Sequence, residues 1–370
     1  MLEYSSNTIK VNLKSPYEIY LKTSLSQNIP SLIKLYTNEQ KIIIIADNNL
    51  KENHLQEFIK SLKKQGFKAL VLFVKATEKN KSMKTVNYLC NKILKLSINK
   101  NTPIIGFGGG IVGDIAGFCA CILYRGLPFF QIPSTLLAMV DSSVGGKCGV
   151  NTKYGKNTIG AFYQPNAVFI DASLLDTLSE RDYKSGYAEC LKYALLFSED
   201  YFDYLLNHES LFLAKNHDYL TNIIKNSCGF KAKVVEEDEL ETKDIRYLLN
   251  LGHTFAHALE TYNNYKSNLT HGEAVSIGIL LAFKLSSFLN LCEYKNYDKI
   301  KSHIENIGLP SDIKQVIKKV KSVDLINLMQ GDKKNANNLL TLILAERIGK
   351  CFVNRNVNIE TLKEFFKEVL

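Results

Sequence analysis

Ile104–Gln164 reads IIGFGGGIVGDIAGFCACILYRGLPFFQIPSTLLAMVDSSVGGKCGVNTKYGKNTIGAFYQ. A short apolar run, Pro103–Phe107, meets Gly108, Gly109 and Gly110, and a segment of helical character follows. Glycine has no Cβ, so backbone N–H groups there can approach a ligand closely, and a helix N-terminus favours anions. Two further small-residue loops each carry a lysine, Lys147 and Lys156, which adds mobile positive charge. Three such turns in one stretch point to a phosphate-bearing cofactor and an anionic substrate.

Outward from this stretch, the N-terminal half alternates strand and helix patterns. Lys41–Asp47 (KIIIIAD) and Ala69–Val74 (ALVLFV) read as fully buried strands. Asn48–Lys64 and Ser82–Ile98 have helical spacing, and Ile9–Leu13 with Tyr17–Leu21 suggest an edge hairpin. Continuous apolar strands separated by helices predict a mostly parallel sheet covered on both faces. Glycines directly after a strand sit at its carboxyl end, where open α/β sheets bind ligands. Past residue 172 the pattern becomes helical, with helices expected over Arg181–Leu196, Leu220–Glu236, Arg246–Tyr262, Gly272–Leu289, Tyr297–Ile307 and Ile359–Val369. Two late strand-like runs, Leu339–Leu344 and Lys350–Val353, interrupt it. The expectation is an α/β nucleotide-binding domain over residues 1–172 and a mainly α-helical metal- and substrate-binding domain over residues 173–370.

Composition bounds the function. The chain has 370 residues, 46% hydrophobic and 22% charged, with a balance of +9. The lysines are scattered and form no basic block interleaved with aromatics, which argues against a nucleic-acid partner. Eight cysteines are dispersed without a C-x-x-C pair, as suits reduced thiols in a cytoplasmic enzyme. No apolar run has signal-peptide or membrane-spanning character.

Three of the seven histidines crowd into LGHTFAHALE and LTHGEAV. His253 and His257 are four apart and share one helical face. Residue 254 is Thr rather than Glu, so the zinc-peptidase H-E-x-x-H pattern lacks its base. His271 stands at the expected start of the next helix. Two histidines and a carboxylate can hold a catalytic zinc with one position open. On spacing alone Glu189, Glu260 and Glu273 are all candidates for that carboxylate.

Six segments in order, GGGIVGD (Gly108–Asp114), PSTLLAMVDSSVGGK (Pro133–Lys147), GKNTIGAFYQP (Gly155–Pro165), GYAECLKYALL (Gly186–Leu196), LLNLGHTFAHALE (Leu248–Glu260) and LTHGEAVSIGI (Leu269–Ile279), resemble the 3-dehydroquinate synthase family. The resemblance runs from about residue 40 to Asp332–Lys334. It implies a homodimeric lyase that uses NAD and zinc, with cobalt possible in zinc's place. Such an enzyme converts 3-deoxy-D-arabino-heptulosonate 7-phosphate, a sugar phosphate, to 3-dehydroquinate and phosphate.

Carried over position by position, the resemblance implies metal ligation by Glu189, His253 and His271. It implies cofactor contacts at Asp47, Glu78, Lys81, Gly110, Ile111, Val112, Gly113, Asp114, Ser134, Thr135, Lys147, Lys156, Leu174, Leu175, Asp176 and Thr177. Substrate contacts and catalytic roles fall on Arg125, Asp141, Lys147, Asn157, Lys192, Lys231, Arg246, Asn250, His257 and Lys333. Arginine binds oxyanions bidentately, which suits Arg125 and Arg246 to a phosphate or carboxylate. Asp114 and Asp141 also have an ordinary reading as helix-end residues. Two other readings share the motifs: a sister cyclase acting on a different sugar phosphate, and a metal-dependent alcohol dehydrogenase of the glycerol dehydrogenase type.

Overall fold

A computed structural model describes residues 7–50, 54–263, 268–331 and 339–370. The chain divides into two compact units, Met1–Ser179 with Lys215–Leu240, and Glu180–Ala214 with Glu241–Leu370. A single boundary after residue 172 is therefore corrected. The break comes at Ser179, and the His217–Glu237 helix belongs to the first unit, where it packs on β1 and on the turn Ala138–Ser142. Helical periodicity identifies that helix without revealing which core it serves.

The first unit holds β1 (Thr8–Val11), β2 (Tyr17–Leu21), β3 (Lys41–Asp47), β4 (Lys68–Val74), β5 (Ile104–Gly108), β6 (Phe129–Pro133), β7 (Lys147–Thr152), β8 (Gly155–Phe162) and β9 (Ala167–Ile170). Seven of them form one sheet in the order β1-β2-β9-β6-β5-β3-β4. All neighbours are parallel except the expected β1–β2 hairpin. Ile42, Ile43, Ile44 and Ile45 are wholly buried, as two-sided coverage requires. The Met83–Leu94 helix starts where Ser82 caps it by accepting from the Thr85 N–H.

The strand order matters for function. β3 has β4 on one side and β5 on the other, so the chain leaves β3 toward β4 and leaves β5 toward β6, in opposite directions. Asp47 ends β3 and Gly108 ends β5, which puts both at the carboxyl edge of a topological switch point, where this class of sheet binds ligands.

β7 and β8 pair as a separate antiparallel hairpin. Lys147 and Lys156 therefore lie on strands, not in the loops expected from their glycines. The backbones approach so closely that a Cβ on Gly160 would sit 2.2 Å from Cys148 O.

The second unit is mainly helical, with the β10 (Leu339–Arg347)–β11 (Lys350–Asn358) hairpin. Its central helix, His271–Phe288, buries residues all round. The helix expected over Arg246–Tyr262 is interrupted. A 3₁₀ turn covers Ile245–Asn250, Gly252 adopts φ +77°, and a new helix starts at His253. Gly278 makes room for that entry, since a Cβ there would lie 2.1 Å from Gly252 O. Among the described residues no helix is long and apolar enough to cross a membrane, and all eight cysteines are free.

Candidate functional site

Three helices of the second unit bring Glu189, His253 and His271 together. Glu189 sits within the Glu180–Phe197 helix and is completely buried. His253 is the first residue of the His253–Tyr262 helix. His271 is the first residue of the next, fixed by a capping box in which the Thr270 hydroxyl accepts from the Glu273 N–H and the Glu273 carboxylate accepts from the Thr270 N–H. Gly272 lets this helix start tight against the first, because a Cβ there would lie 1.8 Å from Ser185 O.

One carboxylate oxygen, Glu189 Oε1, lies 3.5 Å from His253 Nε2 and 3.6 Å from His271 Nε2. These separations exceed good hydrogen bonds. One donor atom from each of the three residues lies within 4.8 Å of the others. A buried carboxylate oxygen without a well-formed hydrogen bond, facing two imidazole nitrogens, fits a divalent cation with His and carboxylate ligands. The far nitrogens are engaged as well: His253 Nδ1 with Leu251 O at 3.1 Å and His271 Nδ1 with Glu260 Oε1 at 3.4 Å.

Charge completes the picture. Lys192 Nζ, on the same helix as Glu189, lies 2.5 Å from Glu189 Oε2 and is 2% exposed. Burial alone would raise the Glu189 carboxyl, but Lys192 and the two imidazoles outweigh it and hold it well below the usual carboxylate range. Burial would lower His271, but its contacts with Glu189 and Glu260 push it up to about 10.

The competing carboxylates are accounted for. Glu260 faces the far side of His271, and Glu273 serves the cap and a two-pronged pair with Arg181, at 2.7 and 2.6 Å. His257 is exposed and stands beside the triad, with its ring 5.6 Å from that of His253 and 6.3 Å from that of His271. Arg246 is buried in the turn before His253, and Asn250 ends that turn half-buried. Lys333 lies outside the described residues.

In the first unit, Gly109 caps the Gly110–Ile122 helix at the end of β5. Ser134 and Thr135 follow β6 beside it: Ser134 N–H donates to Gly108 O at 2.9 Å, and a Cβ on Gly109 would lie 3.1 Å from Thr135 Cγ2. Asp114, inside this helix and not at its cap, pairs with Lys81. Burial raises its carboxyl more than Lys81 lowers it. Lys81 Nζ also donates to Asn157 Oδ1 at 2.6 Å. Glu78 accepts from Asn151 Nδ2 at 2.7 Å and lies 3.7 Å from Lys156. Asp141 stands in a π-turn, where Lys231 Nζ meets its carboxylate at 2.6 Å and its carbonyl at 2.8 Å.

Leu174–Thr177 belong to a 3₁₀ segment pinned at one end by Asp171, which caps Ser173, and at the other by Lys215. Its Asp176 and Thr177 side chains meet His217 and His54. Asp47 is half-buried, which raises its carboxyl. Lys147 is exposed on β7. Arg125 stands apart, exposed at the far end of the Gly110–Ile122 helix, roughly 20 Å along its axis from the glycines. Sequence reasoning passed over Asn151 and Asp171, and it weighed Glu260 only as a metal carboxylate. Of the three, Glu260 carried a signal for a place behind the histidines, as the seventh residue after His253 on one helical face.

Two family models match in succession, 3-dehydroquinate synthase N-terminal over residues 71–185 and 3-dehydroquinate synthase C-terminal over residues 186–335. The chain belongs to the 3-dehydroquinate synthase family. Among relatives of that family, the 3-dehydroquinate synthase of Bartonella quintana is 41% identical over 92% of this chain and 90% of that protein. A structure of 2-deoxy-scyllo-inosose synthase complexed with carbaglucose-6-phosphate, NAD+ and Co2+ is 25% identical, with a TM-score of 0.85 over 98% of this chain and 100% of that chain. The fold also matches a 2-epi-5-epi-valiolone synthase from Streptomyces hygroscopicus with NAD+ and Zn2+ bound, at 22% identity and a TM-score of 0.87, over 98% of each chain. The mostly parallel sheet and the helical second unit are thus the architecture that the family expectation called for.

Proposed function

We propose that the chain acts as a 3-dehydroquinate synthase, converting 3-deoxy-D-arabino-heptulosonate 7-phosphate to 3-dehydroquinate and phosphate with NAD and a divalent metal. The observation that carries this reading is the convergence of Glu189, His253 and His271 in a chain of this family. The two similar cyclase structures, which carry NAD+ with Co2+ or Zn2+, support the cofactor pair. When bound, NAD supplies reversible hydride transfer and the metal polarises the oxygen of the reacting alcohol.

The chain's own residues bind and orient. Glu189, His253 and His271 hold the metal, which is zinc in this reading, with cobalt able to occupy the same donors. Asp47, Glu78, Lys81, Gly110–Asp114, Ser134, Thr135, Lys147, Lys156 and Leu174–Thr177 hold NAD, with the helix N-terminus at Gly109 facing its phosphates. Lys192, Lys231, Arg246, Lys147 and Lys333 balance the phosphate and carboxylate of the substrate, and Asp141, Asn157 and Asn250 orient its hydroxyls; Arg125, which stands apart, has no place in this set. His257, one turn from His253, would take the hydroxyl proton that the substrate alcohol releases on oxidation and return it on re-reduction. The enzyme is a cytoplasmic homodimer in this reading.

The test is phosphate release from heptulosonate phosphate, with sedoheptulose 7-phosphate and glucose 6-phosphate as alternatives. Release from the first alone, abolished by a chelator and dependent on NAD, supports the reading. Turnover of another sugar phosphate indicates a sister cyclase, and net NADH accumulation indicates a dehydrogenase.

A further inference from the structure

The two histidines of the triad are held from behind by different groups. His253 Nδ1 meets Leu251 O at 3.1 Å, a main-chain acceptor that no side-chain substitution removes. His271 Nδ1 meets a side chain, Glu260 Oε1, at 3.4 Å. Glu260 is 5% exposed and lies on the helix that begins with His253. A carboxylate buried to this degree is costly unless a polar partner compensates it. Glu189 and Glu260 flank the His271 ring from opposite sides, one at Nε2 and one at Nδ1.

We propose that Glu260 is a positioning residue for the metal centre: it accepts the His271 Nδ1 hydrogen and so turns Nε2 toward Glu189, where its lone pair would meet a divalent cation. The inference rests on the reading of Glu189, His253 and His271 as that centre. An acceptor behind a ligating imidazole fixes its tautomer and ring orientation, and its loss weakens metal binding about 10–100-fold. The centre is then asymmetric, with His271 the ligand whose orientation a single side-chain change can release.

The test compares the full-length protein with Glu260→Ala, Glu260→Gln and Glu260→Asp. Zinc affinity is read by competition with a chromophoric chelator, and Co2+-loaded samples by their visible absorption. Glu260→Ala is expected to lower zinc affinity about 10–100-fold and to shift the cobalt bands. Glu260→Gln still offers an oxygen at the same reach and is expected to recover most of the affinity. Wild-type zinc affinity and an unchanged cobalt spectrum in Glu260→Ala overturn the proposal. If Glu260→Ala does not fold, Glu260→Asp decides, because it withdraws the acceptor by one methylene. It must bind zinc more weakly than Glu260→Gln, and equal affinities overturn the proposal. Failure of the wild type itself to bind zinc or cobalt overturns the metal-centre reading and the proposal with it.

Discussion

The two units of this chain prepare for charge in opposite ways. In the first, main-chain N–H groups at the start of the Gly110–Ile122 helix, which the chain enters through three consecutive glycines, are proposed to meet the anion. In the second, side chains take that role: Glu189, His253 and His271 converge from three helices. The phosphate-facing part of the NAD site we propose is built by neighbours in sequence. The cation site we propose depends on close helix packing, and Gly272 and Gly278 sit where backbones meet.

The sharpest break of this contrast is Glu189→Ala. It removes a ligand and leaves the buried Lys192 ammonium without its carboxylate. A loss of zinc affinity above about 100-fold is expected, since first ligands matter more than the groups behind them. Unfolding free energy should fall by about 3–5 kcal/mol, the cost of breaking a buried ion pair by removing one of its members. Asp114→Asn in the first unit should weaken NAD binding and leave zinc affinity unchanged. Chelator titration, calorimetry with NAD and urea unfolding check all three.

Ligands should sharpen the same division. A ligand at a hundredfold excess over its Kd stabilises its unit by about 2.7 kcal/mol. By amide exchange, zinc should slow opening of the His253–Tyr262 and His271–Phe288 helices, and NAD should protect the Gly110–Ile122 helix. Exchange that responds identically to both ligands everywhere counts against two separate sites.

Glycine substitutions should follow in size. Gly278→Ala sets a methyl against the Gly252 carbonyl, which cannot swing aside, and should cost at least about 1–3 kcal/mol. Gly113→Ala meets only Gln131 Oε1 at 2.8 Å, the end of a side chain that can shift, and should cost less. Melting temperatures of the two variants test the ranking.

The smallest effect concerns pH. His303 is fully buried, with Nδ1 2.5 Å from Glu209 and Nε2 3.0 Å from the Tyr187 hydroxyl. Burial lowers its pKa, and the Glu209 contacts only partly oppose this. The stability tied to the neutral ring is present above the unfolded value of about 6.5 and is lost as pH falls through the folded one. Urea midpoints of the wild type should decline below about pH 6.5, and His303→Gln should flatten that decline.

The same contrast explains what could be read in advance. The isoleucine run of β3 and the strand–glycine–helix passage at Gly108 state their structure within a few residues, so the parallel sheet was legible. The β7–β8 hairpin was not, because Gly149 and Gly160 face one another there, and glycine carries no strand signal. His253 and His271 were visible as a pair, but Glu189, Glu260 and Glu273 looked alike by spacing. Resemblance pointed to Glu189, and tertiary packing separates the three by giving each a different neighbour. The pairing of Lys231 with Asp141 depended on a helix returning to the first unit, which no local pattern announces.

Everything proposed for this chain turns on a divalent cation held by Glu189, His253 and His271. Anomalous diffraction at the zinc edge, from crystals of the zinc-loaded protein, tests it most directly. One strong peak within bonding reach of Glu189 and both Nε2 atoms is the expected result. A protein that releases phosphate from heptulosonate phosphate while its zinc peak lies elsewhere contradicts it.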